Sequence, residues 1–121
     1  MRLGVFGGSF DPVHYGHLLL AETCREQANL DEVWFIPAAT PPHKQDREIT
    51  PAKLRLEMLQ LAVGGTDYFG VTTIEIDRGG VSYTVDTLAE LRRLHADAEL
   101  FLLMGADSLS EFPTWRDPAG V

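Results

Sequence analysis

Two histidines three residues apart, His14 and His17, follow a glycine-rich run in Gly7-Gly8-Ser9-Phe10-Asp11-Pro12-Val13-His14-Tyr15-Gly16-His17. Glycines let backbone N–H groups come close to a phosphate. Imidazoles, with an ordinary pKa of ~6.5, take up positive charge when an anion lies between them. Such a group of donors suits the stabilisation of charge on a phosphate in transfer. Two plainer readings stand beside this one. His-x-x-His is half of a metal site, which needs at least one more ligand, and Asp11 is the near candidate in sequence. The glycines alone would also serve to close a tight turn. The run is not a Walker loop, since no Gly-Lys-Ser/Thr follows, and it does not match G-x-G-x-x-G.

These residues need elements to hold them. Leu3 to Gly7 is a short apolar run ending in glycines, as a buried strand does. His17 to Asn29 has helical length, with Leu18, Leu20, Ala21, Cys24 and Ala28 at helical spacing. Val33-Trp34-Phe35-Ile36 is a second buried strand stopped by Pro37, and Trp34 is read as core. After a proline-rich loop, Thr50-Pro51 predicts a helix start, with Leu54, Met58, Leu61 and Ala62 as its apolar face and Gly64-Gly65 as its end. Phe69 to Ile76 reads as a strand by its β-rich alternation, and Arg78-Gly79-Gly80 as a turn. Val85, Leu88 and Leu91 mark a third helix running to about His95. Leu100 to Met104 is the most hydrophobic strand, and Ser108 with Glu111 predicts a capping box on a fourth helix.

The resulting order, β-α-β-α-β-α-β-α, predicts an α/β fold: a doubly wound, mostly parallel sheet with helices on both faces. Ligands of such sheets bind at the carboxyl ends of the strands, where strand order reverses. The loops Gly7–Gly16 and Gly105–Ser108, after the first and fourth strands, are the candidates for that crevice.

Composition bounds the rest. The chain has 121 residues, 45% of them hydrophobic, which fits one domain over 1–121 with a packed core. A single cysteine, Cys24, excludes an internal disulfide and a Cys-based zinc site. No stretch has the ~20 apolar residues that span a bilayer, and Met1 to Phe6 reads as a strand rather than a signal peptide. A cytoplasmic protein without a membrane partner is expected. The net charge of −8 argues against a nucleic-acid surface. Residues 1–60 carry six basic and eight acidic side chains, and 61–121 carry four and ten. Pro41 to Arg55 is locally positive through Lys44, Arg47, Lys53 and Arg55, with His43 beside them. An anion site should therefore draw on the first half, although a solvated surface loop would have the same charges.

The motif from Gly7 to His17 resembles the G-x-F-D-P-x-H-x-G-H element of the nucleotidylyltransferase superfamily. Three further stretches narrow the resemblance. They are Thr40-Pro41-Pro42-His43-Lys44, then Ser82-Tyr83-Thr84-Val85-Asp86-Thr87-Leu88, and then Gly105-Ala106-Asp107-Ser108-Leu109 with Phe112-Pro113-Thr114-Trp115. In this order they are similar to bacterial nicotinate-nucleotide adenylyltransferases, over essentially the whole chain. The resemblance implies a Rossmann-like fold and adenylyl transfer from ATP to nicotinate mononucleotide, giving deamido-NAD and pyrophosphate. It implies that Mg²⁺ arrives with ATP and that the protein has no metal cage of its own.

By the same resemblance, His14 and His17 contact the ATP phosphates and are catalytic, with His17 the main stabiliser of the transition state. Gly7, Gly8, Ser9 and Phe10 would line the nucleotide through backbone amides, and Asp107 would bond a ribose hydroxyl. His43 and Lys44 would meet phosphate, Thr84 the nicotinate carboxylate, and Trp115 the pyridine ring. For each there is a plainer role: surface loop for His43 and Lys44, helix cap for Thr84 and Asp107, core for Trp115.

Members of that family continue well past this length and carry a later I-S-x-T-x-x-R element that nothing here matches. The chain reads as the front part of a longer domain with the last strands of its sheet missing, which predicts weak activity at best. It also predicts an apolar edge at Leu100–Met104 and hence self-association as a homo-oligomer. The alternatives are a non-catalytic nucleotide-binding fragment or another nucleotidylyltransferase, such as a phosphopantetheine adenylyltransferase, though the latter usually carries Thr where this chain has His14.

Overall fold

A computed structural model describes residues 1–39, 50–80 and 83–104. Its elements are β1 (Arg2–Gly8), α1 (Tyr15–Ala28), β2 (Glu32–Pro37), α2 (Ala52–Val63), β3 (Phe69–Val71), α3 (Ile74–Arg78), α4 (Thr84–Leu94) and β4 (Glu99–Leu102). The strands form one sheet in the order β3-β2-β1-β4, and every pairing is parallel. The predicted doubly wound parallel sheet is present. Its strand order reverses beside β1, so the bend after β1 opens at the switch point, next to the end of β4.

Strands buried on both faces need consecutive apolar residues, and β1 and β2 have them from Leu3 to Phe6 and from Val33 to Pro37. Phe6, Val33 and Phe35 face α1 and α2, where they pack with Ala21, Leu59 and Val63. Leu3, Val5 and Ile36 face the other way, onto Leu91 of α4 and Ile74 of α3. Each fully buried side chain of this kind is worth about 1.5–3 kcal/mol. Gly4 lies where a side chain has no room: a Cβ there would stand 2.8 Å from Leu30 Cδ1 and 3.1 Å from Leu103 Cδ1. Among the described residues no helix is long and apolar enough to cross a membrane.

Four local expectations are corrected. The predicted strand over 69–76 ends at Val71, and Ile74–Arg78 turns into α3 instead. Alternation there had a second use: Ile74 packs on the α4-side core, and Glu75 is buried where Thr87 Oγ1 donates to its carboxylate at 2.6 Å. In α2 the inward face is Arg55, Leu59 and Val63, whereas Leu54, Met58, Leu61 and Ala62 are exposed. Leu59 is 0% exposed and Leu61 85%. The helix is turned this way because the hydrogen bonds of the buried Arg55 side chain hold its face against the sheet. The start of α2 falls one residue late, with Pro51 at the N-cap and no side-chain cap bond, so the Thr50 hydroxyl does not cap it. Trp34 is half-buried rather than core: its Nε1–H donates to Glu32 at 3.1 Å, and its ring meets His95 edge-on. The predicted helix opening at Ser108 lies outside the described residues.

Candidate functional site

In a parallel α/β sheet each helix runs back against its strands, so helix N-termini gather at the strands' carboxyl ends. Here α1 and α4 both begin on that edge. The connection into α1 is built by Phe10, whose φ of +47° places a left-handed bend directly after Ser9. A side chain pays strain in that conformation, and burial holds Phe10 there. Its ring is 2% exposed and packs edge-on against Phe6 at 5.4 Å and His17 at 5.0 Å. The Phe10 ring is thus core, which leaves only its backbone for a nucleotide. Gly7 is exposed and Gly8 and Ser9 are half-buried.

His14 is the N-cap of α1, and α1 begins at Tyr15, two residues earlier than its apolar spacing suggests. The two histidines cap the helix reciprocally. Gly16 N–H donates to His14 Nδ1 at 3.1 Å, and His14 N–H donates to His17 Nδ1 at 3.0 Å. Their ring centroids are 3.9 Å apart, with 31° between planes. Gly16 makes this possible: a Cβ there would lie 2.9 Å from His14 Cε1 and 3.0 Å from His14 Nδ1.

A ring nitrogen that accepts a backbone N–H carries no hydrogen, so each neutral imidazole holds its proton on Nε2. An imidazolium has no lone pair at Nδ1, and charging either ring would give up its cap bond. Both rings thus sit at the start of α1 with Nδ1 turned to the backbone, beside the positive end of the α1 dipole, roughly half an elementary charge. Asp11, the third ligand that the metal reading needs, accepts the Thr50 N–H at Oδ2, 2.9 Å away. Among the described residues no group of three or more His, Cys, Asp or Glu side chains is placed to hold a metal ion.

Thr84 is the first residue of α4, half-buried, and Tyr83 occupies the N-cap position without a side-chain cap bond. The capping role considered for Thr84 is therefore not the one it has. The first turn of α4 is anchored to α3: Thr87 Oγ1 accepts from Arg78 Nη2 at 2.8 Å and donates to the Tyr83 carbonyl at 3.3 Å. His43, Lys44, Asp107 and Trp115 lie outside the described residues, as do the loop Gly105–Ser108 and the stretch Phe112–Trp115.

Arg55 was counted in the sequence only as part of a positive segment. It is 0% exposed, and all of its described hydrogen bonds go to backbone carbonyls. Burial pushes its pKa down from the ordinary value, and the Asp11 carboxylate acts against that shift. The sequence did hold a signal, since Arg55 shares helical phase with Leu59 and Val63 at steps of four.

Residues 5–120 match the model of the cytidylyltransferase-like family. The chain belongs to that family. A protein of Thermomicrobium roseum named a probable nicotinate-nucleotide adenylyltransferase is 53% identical over 117 residues, covering 97% of this chain and 55% of the relative. One of the same name from Geobacillus thermodenitrificans is 45% identical over 115 residues, covering 95% and 53%. The chain thus spans about half the length of the curated relatives it matches. Among solved structures, the Plasmodium falciparum nicotinic acid mononucleotide adenylyltransferase complexed with NaAD superposes with a TM-score of 0.82 at 19% identity, over 97% of this chain and 58% of that one. A putative nicotinate-nucleotide adenylyltransferase of Vibrio parahaemolyticus gives 0.81 at 16% identity, over 98% and 67%. At these identities the structural likeness speaks for the fold, which is the Rossmann-like one expected.

Proposed function

We propose that residues 1–121 form a single nucleotide-binding domain that serves a nicotinate-nucleotide adenylyltransferase activity. The substrates would be MgATP and nicotinate mononucleotide, and the products deamido-NAD and pyrophosphate. The observation that carries this reading is the imidazole pair at the start of α1, with both Nδ1 atoms committed to backbone N–H groups. Two Nε2–H donors on one helix N-terminus suit the oxygens of a transferring phosphoryl group. The names of the relatives support the same substrate pair.

In this reaction a phosphate oxygen of the mononucleotide attacks the α-phosphorus of ATP in line. A new P–O bond forms, the bond to the bridging oxygen of the β-phosphate breaks, and pyrophosphate leaves with that electron pair. A phosphate with a second pKa of ~6 is already ionised near neutral pH, so no general base is needed. The protein's part is then positioning and charge stabilisation. His14 and His17 would donate from Nε2 to phosphate oxygens, with His17, braced between Phe10 and Phe6, the main stabiliser. Backbone amides at Gly7, Gly8, Ser9 and Phe10 would line the nucleotide, and Thr84 with the first turn of α4 would receive the nicotinate carboxylate. His43 and Lys44 are proposed for phosphate, Asp107 for ribose and Trp115 for the pyridine ring on the sequence resemblance alone. Mg²⁺ would enter as part of the nucleotide substrate.

The test is pyrophosphate release from MgATP and nicotinate mononucleotide, run on this chain and on a longer version. Release that needs both substrates, and that falls about 10²-fold or more in His17→Ala with a smaller change in mononucleotide binding, is the expected result. Nucleotide binding without release by either version would sink the enzymatic reading, and release with phosphopantetheine alone would sink the substrate assignment.

A further inference from the structure

A buried cation is costly unless its donors are satisfied, so the partners of Arg55 indicate what it holds. Its Nε donates to the Thr50 carbonyl at 2.7 Å. Its Nη1 donates to the Ser9 carbonyl at 2.8 Å and to the Ala38 carbonyl at 2.7 Å, and its Nη2 to the Ala39 carbonyl at 3.2 Å. These carbonyls belong to three separate stretches of chain. Ser9 follows β1, Ala38 and Ala39 follow β2, and Thr50 leads into α2. Asp11 adds a second tie, since its carboxylate takes the Thr50 N–H. One side chain thus joins the bend after β1 to the end of β2 along the carboxyl edge of the sheet.

The bend it holds leads directly to the imidazoles. Ser9, whose carbonyl Arg55 grips, precedes Phe10 at φ +47°, and the Phe10 ring lies against His17. His17 Nδ1 is set from its other side by the His14 N–H. We infer that Arg55 is a positioning residue for the His14–His17 pair: its planar fork fixes the Ser9–Phe10 bend and, through the Phe10 ring, the direction in which His17 presents Nε2–H. Its kinetic consequence rests on the adenylyltransferase reading, whereas the geometric claim does not. Lysine would keep the charge but not the fork, since one ammonium group cannot reach three stretches of chain at once. The substitution therefore separates geometry from field.

The experiment compares the wild-type chain with Arg55→Lys by three readouts: thermal unfolding, two-bond ¹H–¹⁵N spectra that report imidazole tautomers, and pyrophosphate release. In folded Arg55→Lys the His17 Nε2–H signature should give way to a mixture. Turnover should fall about 10- to 100-fold, with a smaller change in KM for the mononucleotide, as expected for a misplaced catalytic group. Unchanged tautomers would overturn the inference, whether or not turnover fell. If the variant does not fold, Phe10→Leu decides, since it keeps Arg55 and its carbonyls but removes the ring that lies against His17: a mixed His17 tautomer in the folded variant supports the inference, and an unchanged one overturns it. If the wild-type chain shows no turnover, the enzymatic reading fails, and the tautomer spectra still judge the role of Arg55.

Discussion

Replacing Gly16 with alanine should leave the fold nearly as stable as before while removing most of the proposed adenylyl-transfer activity. The added Cβ would lie 2.9 Å from His14 Cε1 and 3.0 Å from Nδ1, so the ring must swing away. Swinging breaks the bond from the Gly16 N–H to His14 Nδ1, which is 3.1 Å long. Losing an N-cap bond costs about 1 kcal/mol. Alanine in place of glycine within a helix gains up to about 1 kcal/mol. The two nearly cancel, and the melting temperature should move by no more than a few degrees, given roughly 2–8 °C per kcal/mol for domains of this size. Catalysis has no such compensation. Loss of one preorganised donor to a developing phosphoryl charge costs about 10²- to 10³-fold in kcat, or ~2.7–4 kcal/mol. Paired measurements of pyrophosphate release and thermal unfolding on Gly16→Ala check this. Full turnover would show that the placement of His14 is immaterial, and turnover falling only in step with the folded fraction would show that the cap is structural and nothing more.

The orientation of α2 predicts a contrast between two leucines. Leu59→Ala should cost about 2–5 kcal/mol in denaturant unfolding as a core deletion, and Leu61→Ala no more than about 0.5 kcal/mol as a surface change; equal costs would refute the observed face of the helix. The clasp between α1 and the chain before β3 predicts a pH dependence. The Tyr68 hydroxyl donates to Glu22 at 2.6 Å, which holds the Glu22 carboxyl below its ordinary pKa and raises that of the Tyr68 phenol. For the lowered carboxyl, the stabilisation is present above its unfolded value and is lost as pH falls through the folded one; for the raised phenol, it is present below the unfolded value and is lost as pH rises through the folded one. Stability measured by urea unfolding should therefore weaken at both ends, below the usual carboxylate range and above the usual phenol range. Tyr68→Phe should flatten both limbs, and an unchanged profile in that variant would refute the assignment.

The sequence by itself was enough for four strands in order, three of the helices and the histidine pair, because each of these is local. Strand burial is written in consecutive apolar residues, as in Val33 to Ile36, whereas Gly7 and Gly8 are the last residues of β1 and the left-handed bend falls at Phe10. His14 and His17 were legible as a pair, but their reciprocal capping was not, because it depends on which backbone N–H each Nδ1 meets once the helix has started at Tyr15. Four further candidates, His43, Lys44, Asp107 and Trp115, rest on sequence resemblance alone. Arg55 looked like surface charge because helical spacing does not say which side of α2 turns inward. Apolar residues occupied two faces of that helix, and the tie was broken by carbonyls of Ser9, Ala38 and Ala39, 16 to 46 positions away in the chain. The strand expected at Ile74 to Ile76 failed for the same reason. A buried partner on α4, Thr87, made helix the better conformation for Glu75. Partners that distant meet only when the chain is folded, so tertiary structure alone decided them.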